Sequence, residues 1–121
     1  MKILVVDDSK VMRKLVTRAI RQAGFEDAEV VEAEDGQEAL EVARREMPKL
    51  ILADWNMPNM TGIEMLQALR AEGDTVKVAF VTSESSAAIR QEADAAGESF
   101  FLSKPINPEQ LAEAMRSKVL R

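Results

Sequence analysis

Cysteine and histidine are both missing from this 121-residue sequence. Without cysteine there is no disulfide, no cysteine-ligated zinc and no thiol catalysis. Without histidine there is no Ser-His-Asp triad, no HExxH metalloprotease and no histidine general base. Any phosphohistidine chemistry would need a histidine from another protein. Long apolar runs are lacking too: none approaches the roughly 20 residues of a membrane span. The chain opens directly into a strand pattern, with no basic-then-apolar leader. Nor is there an excess of positive charge. Sixteen Lys and Arg face 21 Asp and Glu, for a formal net charge of -5, and the signs are interspersed. That argues against nucleic acid as a direct partner. No segment reads as a linker, a repeat or a low-complexity tract. The expectation is one soluble, cytoplasmic domain over residues 1–121, with no membrane contact. A chain of this length buries roughly two-thirds of its unfolded surface and needs no covalent staple.

What is present is an alternation of apolar runs and helical periods. "KILVVD" reads as strand one. Ser9 caps a helix whose apolar positions are Val11, Met12, Leu15, Val16, Ala19, Ile20 and Ala23, and Gly24 ends it. "AEVVEA" is strand two. Asp35 with Glu38 gives a capping-box-like start to a helix carrying Ala39, Leu40, Ala43 and Met47, which Pro48 stops. "LILAD" is strand three. A third helix turns Ile63, Leu66 and Leu69 inward and stops near Gly73. "VKVAFVT" is strand four. An Ala-rich helix covers about residues 86–96, with Ile89 its only large apolar residue, and "SFFLS" is strand five. Asn107 caps a last helix with Pro108 in its first turn and Leu111, Met115 and Val119 on its inner stripe. Five strands alternating with five helices predict an α/β fold, a parallel sheet covered on both faces. The basic residues of helix one, Lys10, Arg13, Lys14, Arg18 and Arg21, read as a solvated face, close enough to the strand ends to meet an acidic partner.

The chemistry gathers at strand ends. Asp7 and Asp8 follow strand one, and Asp54 ends the apolar run "LILAD". A carboxylate there is costly unless something meets its charge. In open parallel sheets the site lies at the carboxyl ends of the strands, where the order reverses. If strands one and three are neighbours, the three acids converge, and like charges so close call for a cation. Mg²⁺ suits such oxygen ligands. Thr82 ends strand four, and Lys104 follows strand five just ahead of Pro105. Singly, each has a plain explanation: a helix cap for Asp8-Ser9 or Asp54, a loop hydroxyl for Thr82, a solvated amine for Lys104. Together, three acids, a hydroxyl and a lysine suit phosphoryl transfer, with a carboxylate as nucleophile.

This pattern resembles the receiver domain of two-component response regulators across essentially the whole chain. The family has a pair of acids after strand one, a phosphoacceptor Asp after strand three, Thr or Ser after strand four and Lys-Pro after strand five. The stretches "DWNMPNM" and "EAEDG" look most like the chemotaxis-type, single-domain (CheY-like) members. The resemblance implies a doubly wound, flavodoxin-like sheet of order 2-1-3-4-5. It implies that Asp54 accepts a phosphoryl group from a sensor histidine kinase or phosphotransfer protein. Mg²⁺ would be bound directly by Asp8, Asp54 and the backbone carbonyl of Asn56, with Asp7 acting mainly through water. Lys104 and Thr82 would hold the phosphoryl, with the small Ser83 leaving room for it. Asn56 and Glu84 would tune dephosphorylation. Phe101 stands where chemotaxis regulators commonly carry Tyr. It would swing between outward and inward rotamers and alter a face made by helix four, strand five and helix five, where an output protein binds. The resemblance also implies a cis Lys104-Pro105 bond and a monomer or weak dimer. The chain would not be an enzyme on outside substrates, although it would assist its own phosphorylation and dephosphorylation. Two alternatives stay open. One is a receiver belonging to a longer regulator with a DNA-binding or enzymatic output domain. The other, more distant, is a haloacid-dehalogenase-like phosphatase, whose D-x-D nucleophile motif would have to be read into Asp7-Asp8-Ser9.

Overall fold

The computed structural model describes residues 1–83, 87–96 and 99–120. The strands are β1 (Lys2–Val6), β2 (Glu29–Ala33), β3 (Leu50–Asp54), β4 (Lys77–Thr82) and β5 (Ser99–Ser103). They pair in parallel in the order β2-β1-β3-β4-β5. The helices are α1 (Lys10–Gln22), α2 (Gly36–Glu46), α3 (Gly62–Ala71), α4 (Ala87–Ala96) and α5 (Pro108–Ala114), the last running into a π-helical turn, Met115–Val119.

Side chains of a strand alternate between faces, and this splits the core in two. Leu4, Val6, Ile51, Ala53, Val78 and Phe80 face the helices α2, α3 and α4. Ile3, Val5, Leu50, Leu52, Ala79 and Val81 face α1 and α5. The inner strands are apolar on both sides because both sides are covered. The chain leaves β1 toward β2 on one side and returns to β3 on the other, so the order reverses between β1 and β3.

The helix ends follow local chemistry. Ser9 Oγ accepts the Met12 N–H at the start of α1, Asp35 accepts the Glu38 N–H at the start of α2, and Asn107 accepts those of Glu109 and Gln110 at α5. The reciprocal capping box is found at α3. There Thr61 Oγ1 accepts from Glu64 N–H (3.3 Å) and Glu64 Oε1 accepts from Thr61 N–H (2.9 Å). Gly24 and Gly73 end α1 and α3 at φ of 102° and 82°, where glycine has no Cβ penalty.

Two helical stripes differ from the sequence reading. In α1 the inward stripe is Arg13, Val16, Ala19 and Ile20, while Val11 and Leu15 are exposed, Val11 at 67%. Arg13 turns inward instead, donating to the buried Asp7 carbonyl and to Glu32 on β2. In α2 the helix stops at Glu46. Met47 takes a left-handed conformation (φ 48°) ahead of Pro48, and its side chain is 81% exposed rather than inward. A residue before proline is pushed out of the helical region, which explains the early stop.

Candidate functional site

Asp7 and Asp8 leave β1 and Asp54 ends β3, the two strands that flank the reversal. One carboxylate oxygen from each lies within 4.8 Å of the others. Asp7 is buried, Asp54 half-buried and Asp8 exposed. From across the mouth, Lys104 Nζ donates to Asp54 Oδ1 at 3.1 Å and lies 3.9 Å from Asp7 Oδ2. The Lys104 N–H donates to the Thr82 carbonyl at 3.0 Å, which ties the lysine's backbone to the end of β4. Thr82 itself is buried at that strand end. The Lys104-Pro105 bond is cis, as the resemblance implies.

The plain explanations hold for Ser9, which caps α1, but not for Asp54 or Lys104. Asp54 does not cap α3, since Thr61 does. Lys104 is not a solvated loop amine, since it sits on two carboxylates. Asp7 does serve its own turn, accepting the Ser9 N–H at 2.9 Å, but that leaves Asp8 and Asp54 in the mouth.

Electrostatics show what the mouth is short of. Burial pushes the Asp7 carboxyl above its ordinary value. The Ser9 N–H opposes this, the Asp54 charge adds to it, and Lys104 opposes it again. Among the described residues, three carboxylates face one ammonium. The donor set is therefore oxygen-only, anionic and convergent, with one side open to water at Asp8, and it fits a hard divalent cation of the Mg²⁺ kind.

Behind the acids lies an aromatic cluster. The Trp55 ring meets Phe80 edge-on at 5.0 Å, and Phe101 lies 5.9 Å from Trp55 and 5.7 Å from Phe80. The guanidinium of Arg90, from α4, sits over the Phe101 ring at 5.3 Å. Phe101 is half-buried and packs against both rings in this structure. Asn56 and Ser83 are exposed at the rim, and Glu84 lies outside the described residues.

Residues 3–116 match the model of the response regulator receiver domain. The chain belongs to that family. Among relatives, this receiver is 37% identical over 118 residues to the chemotaxis protein CheY homolog of Campylobacter jejuni, over 95% of this chain and 89% of the relative. The solved chemotaxis protein CheY4 of Vibrio cholerae matches at a TM-score of 0.85 and 37% identity, over 96% of both chains. The signal receiver domain of the response regulator NarL of Mycobacterium tuberculosis matches at 0.86 and 28% identity, over 98% of this chain and 95% of that one. Membership argues against the haloacid-dehalogenase-like reading. Among the described residues, no helix of the receiver is long and apolar enough to cross a membrane.

The sequence reading missed one residue at this site. Arg13, taken as part of a solvated face, is 8% exposed. Its Nη1 donates to the Asp7 carbonyl at 2.7 Å and its Nε to Glu32 Oε1 at 2.8 Å. The available signal was spacing: Arg13 sits three and seven residues before Val16 and Ile20, on one helical face.

Proposed function

We propose that residues 1–121 form one receiver that works as a phosphorylation-activated signalling switch. Asp54 takes a phosphoryl group from a phosphohistidine on a sensor histidine kinase or phosphotransfer protein. A carboxylate oxygen of Asp54 attacks phosphorus, the N–P bond breaks and its electron pair returns to the imidazole. Lys104, 3.1 Å from Asp54, meets the negative charge of the transferred group. Thr82 donates a hydroxyl to one phosphoryl oxygen, and the small Ser83 leaves room. Asp8, Asp54 and the Asn56 backbone carbonyl would hold Mg²⁺, with Asp7 linked through water. When bound, the ion supplies charge neutralisation that one lysine cannot give alone. Asn56 and Glu84 tune how fast water removes the phosphoryl. The protein thus promotes its own phosphorylation and dephosphorylation and is not an enzyme on outside substrates. Its partners are the phosphodonor protein and an output protein that reads the α4-β5-α5 face, in the cytoplasm, with the receiver a monomer or weak dimer. Because the relatives include proteins named for chemotaxis, that is the pathway proposed. The likeness to the NarL receiver domain favours a second reading, in which this receiver is one segment of a longer regulator. The mass of the native polypeptide decides between them.

The observation that carries the proposal is the ion pair of Lys104 with Asp54, inside a mouth that also gathers Asp7 and Asp8. Incubation with acetyl phosphate and Mg²⁺ should add one phosphoryl group by mass. Hydroxylamine should strip it, as an acyl phosphate requires, and Asp54→Ala should take up none. Undiminished labelling of Asp54→Ala would overturn the assignment.

A further inference from the structure

Arg13 is a buried cation on the face of α1 that covers the sheet, and it spans two acceptors. One is the carbonyl of Asp7, 2.7 Å away; the other is the carboxylate of Glu32 on β2, 2.8 Å away. Asp7 is also held from its other backbone group, since its N–H donates to the Ala33 carbonyl at 3.1 Å. Ala33 follows Glu32 directly. The contacts therefore close a ring: Asp7 to Ala33, back one residue to Glu32, across to Arg13 and back to Asp7. Both backbone polar groups of Asp7 are fixed to one edge strand, one directly and one through a planar guanidinium. The carbonyl that Arg13 grips belongs to the Asp7–Asp8 peptide, so it sets where Asp8 starts.

We propose that Arg13 is a positioning residue for the metal-binding turn, acting through the Asp7–Asp8 peptide and anchored by Glu32. This rests on the reading that Asp8 and Asp54 hold a divalent cation. Asp8 is exposed, so little packing holds it in place, and its convergence with Asp54 depends on the backbone beneath it. A guanidinium suits this role because its donors lie in one rigid plane and meet two acceptors at once, whereas a lysine ammonium is a shorter-reaching point donor. Partners behind metal ligands commonly matter this much: their loss costs roughly 10- to 100-fold in metal affinity.

The sign of the effect separates positioning from charge. Arg13 is a cation near an acidic cluster, so charge alone would have it repel Mg²⁺, and its removal would tighten binding. Positioning predicts the reverse. Arg13→Lys keeps the charge and loses the fork, so it isolates the geometric part. Mg²⁺ titrations followed by the fluorescence of Trp55, the sole tryptophan and the neighbour of Asp54, should show affinity falling roughly tenfold in Arg13→Lys. Val119→Ala serves as the stability control. Val119 is buried at the opposite end of the molecule, beside Lys49, Asp74 and Lys77. It should lower the melting temperature and leave Mg²⁺ affinity at the wild-type value. Should Arg13→Lys fail to fold, Glu32→Gln carries the comparison, because it keeps an acceptor and loosens the anchor, and it should weaken Mg²⁺ in the same direction. Wild-type affinity in the folded Arg13→Lys chain, or an equal loss in Val119→Ala, would overturn the positioning role. A wild-type chain whose Trp55 does not respond to Mg²⁺, or an Asp8→Ala chain that responds as wild type does, would overturn the metal reading beneath it and the inference with it.

Discussion

Gly62 shows how little room the strand that ends in Asp54 has at the level of single residues. A Cβ at this position would come within 2.7 Å of the Phe80 ring and 2.9 Å of the Asp54 carbonyl. Its N–H donates to the Trp55 carbonyl at 3.1 Å. Gly62→Ala therefore has to displace either a fully buried ring or the backbone of Asp54 itself. The expected cost is about 1–3 kcal/mol, seen as a lower melting temperature, together with slower acetyl-phosphate labelling. A variant as stable and as quickly labelled as wild type would show that the contact relaxes freely. Asp54 was legible in the sequence because an ionisable group closing an apolar run is costly and calls for a reason. Arg13 was not. A basic residue early in a helix has water as an easy partner, and only the fold shows that Glu32 and the Asp7 carbonyl take its place.

Helix boundaries were legible where one side chain makes the cap. Ser9, Asp35 and Asn107 all cap as their residue types and positions indicate. The true capping box at α3 escaped because the N-cap, Thr61, comes well after β3, and the intervening loop carries no periodicity to mark it. Asp35 does more than cap. It accepts the Glu38 N–H at 2.8 Å and the Asn59 amide at 3.0 Å, tying α2 to the loop after β3. The N–H of Glu38 and the amide of Asn59 both hold its carboxyl below the usual value. A depressed carboxylate contributes stability that is present above the unfolded pKa, ordinarily 3.8 for Asp, and lost as pH falls through the folded one. At neutral pH, Asp35→Ala should cost about 1 kcal/mol. In denaturant titrations its deficit relative to wild type should narrow as pH drops below the ordinary Asp range. A deficit that stays constant down the acid limb would mean that the cap charge is not the source. Helix α4 stands at the other extreme. Among the described residues, Ala93 is fully buried and Ile89 half-buried, and the Arg90 guanidinium lies over the Phe101 ring. So little buried apolar area anchors the helix weakly. Its amides should exchange with deuterium faster than those of α1, whose stripe includes the buried Val16 and Ile20. Equal protection would refute the weak anchor.

The layers of the whole molecule could be read from alternation alone, but the strand order could not. Five strand-helix units are compatible with several orders, and nothing within a strand names its neighbour. The order 2-1-3-4-5 came by resemblance, and the sheet has it. With it comes the geometry of a switch. Asp54 and Thr82 end adjacent strands, Lys104 follows the next one, and Phe101 lies between the Trp55–Phe80 pair and Arg90 of α4. A phosphoryl on Asp54 adds up to about two negative charges. Thr82 and Lys104 each have a donor to offer it. In the proposed switch, drawing Thr82 toward the phosphoryl would open space beneath α4, and the change would pass to how Phe101 seats and to the helix whose Arg90 lies over its ring. Driving such an equilibrium from nearly all off to nearly all on takes about 5.5 kcal/mol, within reach of a few charge-assisted hydrogen bonds. Phe101 has no hydroxyl, so its inward state rests on packing, and Phe101→Tyr should still switch. Adding beryllofluoride as a phosphoryl mimic should change deuterium exchange across α4 and β5 in the wild type. Thr82→Ala should accept the label from acetyl phosphate and leave that exchange pattern as it was. If α4 exchanges identically with and without the mimic in the wild type, the route from Asp54 to this face is wrong, even with Asp54 as the acceptor.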